Sequence, residues 1–412
     1  MGSLQGGTNE FQDVRRSFLC YITPALCETA PERRGQPWNL DTGTAEQQSD
    51  SLRLLERVVC ASRSPAPKSL SLSRELFCDP KVRQVDRSVA EVAIIIPYYQ
   101  VMAGLLRRAV ESALRACEPG RFRIVVVDDG SPNPPLPEIA DLLNNGRCDI
   151  SVLSRDNGGA GAARNTGIEH VIGQVEYICF LDSDDEFEPD HLRRMTIAFA
   201  SGADFYFCNS RRTHESTTMF DACNFPRAPV QVLCEAERLY WYRGSLLQLT
   251  LTKNPYGTNS MGYRLMGQES VRFRTEFRRA CEDRLFAMEL SRKVGSVAFS
   301  ENCDVILGTG VNIFASSAWG TASGLERMLD TTRFHVCLGR EFSLSETERR
   351  TNVRCLASCD RDFWESVMVC TIKSRSIPAT LIKHYLRLRP HSLTSLPKGL
   401  LRLIKMNLSK AQ

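Results

Sequence analysis

The sequence lacks several features that define common protein classes. No uninterrupted apolar stretch approaches the ~18 residues that a membrane-spanning helix needs. There is no CxxC pair, and the closest cysteines, Cys355 and Cys359, have no histidine cluster beside them, which argues against a zinc site. The GK[ST] signature of a P-loop is also missing. We therefore expect a soluble or peripheral globular protein without a zinc site or a P-loop.

The chain has little net charge, and its basic excess is local. The formal net charge is +4, yet residues 366–412 contain nine Lys or Arg and no Asp or Glu. The rest of the chain is net acidic, which argues against a nucleic-acid partner. The tail reads as a short basic amphipathic helix, so residues 398–410 are predicted to contact an anionic membrane peripherally. The alternative is a helix that packs on the core and exposes its basic face to solvent.

The sixteen cysteines are spread along the whole chain, and several lie within apolar runs, among them Cys179 and Cys208. Small secreted proteins concentrate cysteines into a disulfide framework, and this sequence does not. We therefore expect reduced thiols and a cytoplasmic protein, with the inner face of the membrane as its peripheral location.

The order of apolar runs predicts an α/β protein. Residues 1–88 form an N-terminal extension of unknown role with one short amphipathic helix at 51–61. Residues 89–325 alternate strands with helices, the pattern of a Rossmann-like, mostly parallel sheet flanked by helices. Residues 326–412 form a C-terminal helical region. The predicted strands are Val92–Ile96, Ile124–Val127, Ile150–Leu153, Tyr177–Leu181 and Phe205–Cys208, and the predicted helices are Leu105–Ala116, Ala162–Ile172 and Pro189–Ala200. Residues 209–260 read as an insertion or acceptor-side segment rather than core.

Two carboxylates follow the second predicted strand. Asp128 and Asp129 precede Gly130 and Ser131, a turn-forming pair. Ligands of doubly wound sheets bind at the carboxyl ends of strands, where an acidic side chain accepts hydrogen bonds from ribose hydroxyls. An ordinary turn with a helix-capping Asp is the alternative.

A glycine-rich segment, residues 156–165, follows the third predicted strand and leads into a helix. Its glycines allow close backbone approach, the helix N-terminus favours anions, and Arg164 adds a fixed cation. It is not a dinucleotide fingerprint, because Arg164 stands where the third glycine belongs.

Three carboxylates within four residues follow the fourth predicted strand: Asp182, Asp184 and Asp185, with Ser183 between the first two. Carboxylates this close repel one another, and a bound cation relieves that repulsion. Mg²⁺ or Mn²⁺ takes oxygen ligands and keeps coordination sites for diphosphate oxygens. A solvated acidic turn is the alternative.

The order of these motifs resembles the family 2 glycosyltransferases, bacterial-type nucleotide-sugar transferases with the GT-A fold. The segments that carry the resemblance are PYY at 97–99, VVDDGS at 126–131, NGGAGAARNTG at 157–167 and FLDSDD at 180–185. The resemblance covers residues 92–210 well and extends less closely to 325. It implies a metal site formed by Asp184, the more direct ligand, and Asp182. The donor-side residues that it implies are Pro97, Tyr99, Asp128, Asp129, Arg164, Asp182 and Ser183.

The same resemblance nominates a general base. Residues 281–286 open a predicted helix and are similar to the family's Glu-Asp motif, and residues 269–273 resemble the segment that precedes it. Asp283 would remove the acceptor proton, and Glu282 would bind or orient the acceptor hydroxyl. Two acids that complement the helix dipole are the alternative. Residues 308–320 carry no charge where many members have a diphosphate-binding His or Arg, and Trp319 is either a sugar-stacking or a core residue.

The sequence thus predicts an enzyme that moves a sugar from a nucleotide donor, UDP by resemblance, to a hydroxyl of a glycan, lipid-linked or other acceptor. The resemblance implies inversion and metal assistance in glycan, polysaccharide or glycoconjugate synthesis. A sugar nucleotidyltransferase is one alternative, but such enzymes place the glycine loop after the first strand. A catalytically inactive GT-A-like binding module is another, and it would have lost the acids at 182, 184 or 283, which are all present.

Overall fold

The computed structural model describes residues 90–101, 103–144, 146–225, 230–309, 317–374 and 378–396. The expectations for residues 1–88, including the helix at 51–61, and for the tail at 398–410 lie outside the described residues.

Ten strands of the described chain form one sheet in the order β3-β2-β1-β4-β9-β6-β10-β8-β7, with β5 paired to β10. Strands β3, β2, β1 and β4 are parallel neighbours, and β6 is parallel to β10. Strand β9 lies between β4 and β6 and is antiparallel to both. The strands are β1 Ala90–Tyr98, β2 Phe122–Asp128, β3 Asp149–Ser154, β4 Val175–Phe180, β5 Glu186–Phe187, β6 Phe205–Arg212, β7 Val230–Cys234, β8 Leu239–Tyr242, β9 Met261–Arg264 and β10 Val297–Leu307. The mostly parallel α/β sheet is confirmed.

Helices lie between and after these strands. They are α1 Leu105–Ala116, α2 Leu136–Ile139, α3 Ala160–Val171, α4 His191–Ala200, α5 Met219–Ala222, α6 Leu246–Thr252, α7 Glu282–Ser291, α8 Ala322–Glu341, α9 Glu346–Ser374 and α10 Ala379–Leu388, with short 3₁₀ turns at Ala140–Leu142, Thr258–Ser260 and Pro390–Ser395. None of the described helices is both long and apolar enough to cross a membrane.

The central strands are apolar on both faces because helices cover both sides of the sheet. Within β1, Ile94 and Ile96 belong to one buried cluster, whereas Ala93 and Ile95 belong to the cluster on the opposite face. Burial on both faces removes the alternation of polar and apolar residues, which is why β1 reads as a continuous apolar run.

The interpretation of residues 209–260 as an insertion outside the core is wrong. Strands β7 and β8 of this segment extend the sheet beyond β10, and Leu239 is fully buried. Phe220 and Tyr256 pack in the second core cluster, where both contact the ring of Phe207. The elements here are short, four to seven residues for α5, α6, β7 and β8, so no sustained periodicity develops.

The three C-terminal helices build two further apolar clusters. Residues of α7 and α8 share one cluster, and α8, α9 and α10 share the other. The buried Tyr385 of α10 stacks on Phe363 with ring centroids 3.7 Å apart and donates a hydrogen bond to Asp360 at 2.9 Å. Arg389 pairs with the same carboxylate at 2.8 Å. Helix α8 therefore contacts both the sheet domain's last helix and the C-terminal helices.

Candidate active site

The carboxyl ends of β2, β1 and β4 lie side by side, since these strands are parallel neighbours. The residues that follow each strand therefore meet at one edge of the sheet, as expected for a doubly wound fold. Tyr98 at the end of β1 is in register with Asp128 at the end of β2. The acidic segment after β4 begins beside them, because Leu181 donates its backbone N–H to the Ile95 carbonyl at 3.1 Å.

The loops after β1 and β2 are tied together. The Ser131 backbone N–H donates to Oδ1 of Asp128 at 2.8 Å, and the Gln100 backbone N–H donates to Oγ of Ser131 at 3.1 Å. Pro97 is buried within β1, whereas Tyr99 is 40% exposed. Tyr99 follows β1 and Asp128 ends β2, so both lie at the carboxyl edge of the sheet, and a nucleoside subsite there stays a prediction.

The carboxylate of Asp129 is hydrogen-bonded to the glycine-rich loop. It is 2% exposed, and its carboxylate accepts backbone N–H hydrogen bonds from Gly158 at 3.0 Å and from Gly159 at 2.7 Å. Arg155 lies 3.5 Å from the same carboxylate. These bonds fix the loop against the end of β2. Direct donor contact by Asp129 stays a prediction.

The glycine-rich loop brings the first helical turn of α3 against the Glu-Asp motif. Gly159, with φ 90°, precedes the helix. A Cβ on Gly161 would lie 3.2 Å from Cβ of Phe273 and 3.6 Å from Cγ of Glu282. Any larger residue at Gly161 would therefore press on the segment that carries the predicted acceptor-side acids.

Arg164 joins two motifs that are about a hundred residues apart in the sequence. Its guanidinium is 4% exposed and donates to Oδ1 of Asp182 at 2.7 Å, and it lies 3.6 Å from Oε1 of Glu282. Burial lowers the pKa of Arg164, but the charges of Asp182 and Glu282 outweigh it and raise that pKa above its ordinary value. Arg164 therefore stays charged in this site.

The four residues after Leu181 have different surroundings. Burial, with the charges of Asp182 and Asp184, raises the pKa of Asp185 to about 8. Its carboxylate accepts hydrogen bonds from the Gly308 backbone N–H at 2.7 Å and from the Asn259 side-chain amide. Asp185 thus anchors the loop to the end of β10. Asp182, 31% exposed and paired with Arg164, and the half-buried Asp184 are the more accessible carboxylates of this loop.

Two further polar residues support this loop and were missed by the sequence interpretation. The buried Gln100 donates from Nε2 to Oγ of the buried Ser183 at 3.0 Å, which links the end of β1 to the acidic loop. Asn259, in the 3₁₀ turn before β9, binds Asp185. Gln100 was detectable as the residue that follows the PYY segment, whereas no pattern marks Asn259. Trp319 is half-buried, and stacking of Trp319 on a sugar stays a prediction.

Glu282 and Asp283 are the first two residues of α7. The preceding residue, Cys281, has φ 70°, a left-handed conformation that is unfavourable for a side chain with a Cβ and persists only where its surroundings hold it. Burial and the charge of Asp283 raise the pKa of Glu282 to about 7, against the opposing effect of Arg164. Asp283 is half-buried, and its Oδ1 accepts the Arg284 backbone N–H at 2.7 Å.

The oxygen donors at this edge suit a hard divalent ion. Asp182 and Asp184 offer carboxylate oxygens at a partly exposed loop, the ligand type that Mg²⁺ and Mn²⁺ prefer. A second group of metal-binding residue types, His191, Cys208 and Asp304, is buried within the core. Arg194 donates to the carboxylate of Asp304, so this second cluster is explained as a buried hydrogen-bond network.

Comparison with known proteins shows the family to which this chain is related. The family model described as Glycosyl transferase family 2 matches residues 93–266. The succinoglycan biosynthesis protein ExoW of Rhizobium meliloti is 32% identical over 232 residues, which cover 55% of this chain and 72% of ExoW. The succinoglycan biosynthesis protein ExoO of the same organism is 40% identical over 116 residues, which cover 28% of this chain and 32% of ExoO.

Among solved structures, S. aureus TarS 1–349 in complex with UDP-GlcNAc superposes with a TM-score of 0.50 and 17% identity over 74% of this chain and 82% of that one. At this identity the likeness concerns the fold alone. Strand order, the motifs at strand ends and the match to ExoW agree with the resemblance seen in the sequence. The chain belongs to glycosyl transferase family 2 and is a glycosyltransferase with a GT-A-type α/β fold.

Proposed function

We propose that this enzyme transfers a sugar from a UDP donor to an acceptor hydroxyl with inversion at the anomeric carbon. The observation that carries the proposal is the bridge by Arg164, 2.7 Å from Asp182 and 3.6 Å from Glu282. This bridge brings Asp182 and Glu282 to one buried guanidinium, which supports the assignment of a donor side and an acceptor side to one crevice. A binding module without activity would have no need for both acidic motifs around a buried cation.

The donor side is assigned to the edge formed by β1, β2 and β4. Tyr99 and Asp128 would hold the base and ribose, with Pro97 and Asp129 shaping the pocket behind them. Asp184 and Asp182 would hold Mg²⁺ or Mn²⁺, which when bound neutralises the charge of the departing diphosphate. Ser183 and Arg164 would keep that loop in position through their hydrogen bonds.

The acceptor side is assigned to the start of α7. Asp283 would take the proton from the acceptor hydroxyl as its oxygen attacks the anomeric carbon. Glu282 has a pKa raised to about 7 by burial, so near neutral pH it both donates and accepts hydrogen bonds. That property suits a group that orients a hydroxyl acceptor.

The acceptor class is proposed from relatives. ExoW and ExoO are named for succinoglycan biosynthesis, so we assign this enzyme to polysaccharide or glycoconjugate synthesis, with a glycan or a lipid-linked glycan as acceptor. We also assign the chemistry to residues 89–325 and a cytoplasmic location to the protein, with the basic C-terminal region on the inner face of the membrane.

The test is turnover of a panel of UDP-sugars with Mn²⁺, read as UDP release, for the wild type and for Asp283→Asn. The substitution removes the base but keeps the shape of the side chain. We expect turnover to fall by about two orders of magnitude or more, while UDP affinity stays close to that of the wild type. The matched control is Asp149→Asn, an exposed carboxylate at the start of β3. Near-normal turnover by Asp283→Asn would show that the base lies elsewhere.

A further inference from the structure

Helix α8 contacts the turn that leads into the Glu-Asp motif. The Arg279 backbone N–H donates to Oδ2 of Asp330 at 3.0 Å, and the Arg279 side chain donates to Glu326 at 3.1 Å. One turn further along α8, the ring of Phe334 lies 5.0 Å from the guanidinium of Arg284. Residues on both sides of Glu282 and Asp283 are therefore held by α8, through Glu326, Asp330 and Phe334.

Among the α8 residues that contact this turn, Asp330 is the one that binds its backbone. It is 6% exposed, and its other oxygen, Oδ1, accepts a hydrogen bond from Arg333 at 2.6 Å. Burial raises its pKa, while backbone N–H groups of Arg279 and Arg278 and the charge of Arg333 act in the opposite direction. A buried carboxylate that accepts backbone N–H groups fixes the path of that backbone, because breaking these hydrogen bonds would leave buried polar groups unpaired.

The turn needs such a restraint. Cys281 ends it in a left-handed conformation, with φ 70°, which a non-glycine residue keeps only when its surroundings hold it there. Phe277, at the other end of the turn, is buried against α7 and α8. The conformation of Cys281 sets the direction in which α7 starts, and the first two residues of α7 are Glu282 and Asp283.

We propose that Asp330 is a positioning residue for sugar transfer. By accepting the Arg279 N–H it fixes residues 277–281 and thereby the placement of Glu282 and Asp283 at the acceptor side. The C-terminal helical region is in this way part of the catalytic assembly. The inference rests on the acceptor-side roles proposed above for these two acids.

The test compares Asp330→Ala, Asp330→Asn and Glu326→Gln. Asp330→Ala removes the acceptor of the Arg279 N–H, and since a misplacement of about 1 Å costs about 10²-fold, we expect kcat for UDP-sugar turnover to fall about 10- to 100-fold. UDP affinity should be unchanged, because Asp330 is hydrogen-bonded to Arg279 and Arg333, which are not among the residues assigned to the donor side. Asp330→Asn keeps one oxygen for the Arg279 N–H and should restore most of kcat. Glu326→Gln, which alters only a half-exposed side-chain contact on the same turn, should resemble the wild type.

A second measurement does not depend on turnover. Hydrogen exchange of peptides that cover 277–284 should become faster in Asp330→Ala and stay at the wild-type rate in Glu326→Gln. The proposal is overturned if Asp330→Ala keeps wild-type kcat, if kcat and UDP affinity fall together, or if Asp330→Asn is as impaired as Asp330→Ala. Asp283→Asn in the same assay separates the two ideas. If it retains turnover, the proposed base is wrong, whereas a dead Asp283→Asn beside a fully active Asp330→Ala contradicts only this inference.

Discussion

Arg164 is the residue on which the electrostatics of the crevice depend. Its buried guanidinium has Asp182 at 2.7 Å on one side and Glu282 at 3.6 Å on the other. Its face also lies 5.3 Å from the ring of Phe273. A buried cation of this kind is tolerated only with acidic partners, and each partner is in turn held in place by the cation. Arg164 thereby couples the position of Asp182 to that of Glu282, and with them the proposed donor and acceptor sides.

The surroundings of Glu282 predict a pH effect on stability. Burial raises its pKa from 4.5 to about 7, so the folded state binds its proton more tightly than the unfolded chain does. The stability contributed by this proton is complete below about pH 4.5 and is lost as pH rises through about 7. Glutamine cannot ionise, so Glu282→Gln should melt a few degrees above the wild type at pH 8 and at the same temperature at pH 4 in metal-free buffer. If calorimetry gave the same difference in melting temperature between Glu282→Gln and the wild type at both pH values, this prediction would be contradicted.

The proposed metal site at Asp184 predicts that UDP binding depends on a divalent ion. UDP binding should require Mg²⁺ or Mn²⁺, because an ion held by Asp184 and Asp182 neutralises the diphosphate. Asp184→Asn should lose most of the gain in UDP affinity that the ion gives, and its UDP affinity in EDTA should equal that of the wild type. Asp149→Asn, which changes an exposed carboxylate on the sheet edge, should keep the full metal effect. Equal UDP affinity of the wild type with and without metal in calorimetry would refute the metal site.

At the scale of elements, the apolar strands and the motifs at their ends were predictable because they depend on local sequence. Parts of strands β1, β2, β4 and β6 appear as uninterrupted apolar runs at 92–96, 124–127, 177–180 and 205–208, and helix α1 is predicted with its observed bounds, Leu105–Ala116. The sheet buries both faces of these strands, so long apolar runs have few alternative structures. The carboxylates that follow β2 and β4 were predictable as site residues because they stand directly after apolar strands in the sequence.

The remaining elements depend on contacts between distant residues, which local patterns do not record. Strand β9 is only four residues long, Met261–Arg264, and it is stabilised by insertion between β4 and β6. The contact of Gly308 with the acidic loop spans 123 residues of sequence. A Cβ on Gly308 would lie 1.7 Å from the Asp184 carbonyl oxygen, so this glycine is required by a close backbone approach. Asp330 likewise reads as an ordinary helical acid until the fold brings it to Arg279.

For the molecule as a whole, the distribution of charge is the basis of the proposal that the C-terminal region associates with an anionic membrane. From Ser366 onward the sequence has nine basic residues and no acidic ones. Helix α10 is docked through the buried Tyr385, and the partly buried Ile382 and Leu386 pack against the same apolar cluster. The exposed Lys383 and Arg387 flank Ile382 and Leu386 along an open groove of about 500 Å³. Apolar side chains flanked by cations at helical spacing suit an anionic lipid surface.

The last prediction tests this surface with vesicles. Each Lys or Arg near an anionic surface contributes about 1 kcal/mol, so Lys383→Glu with Arg387→Glu should lower binding to vesicles containing phosphatidylserine at least about tenfold at low salt. Removal of residues 398–412 should also weaken binding and leave UDP-sugar turnover intact. The control pair, Arg238→Glu with Arg350→Glu, changes the charge equally at exposed positions outside α10 and should bind like the wild type.

Since salt screens exposed charges, wild-type binding should decrease steeply with ionic strength. Equal binding of both double variants would show that net charge alone, and not the face of α10, attracts the protein, and a truncated protein that fails to fold would show that the tail packs on the core.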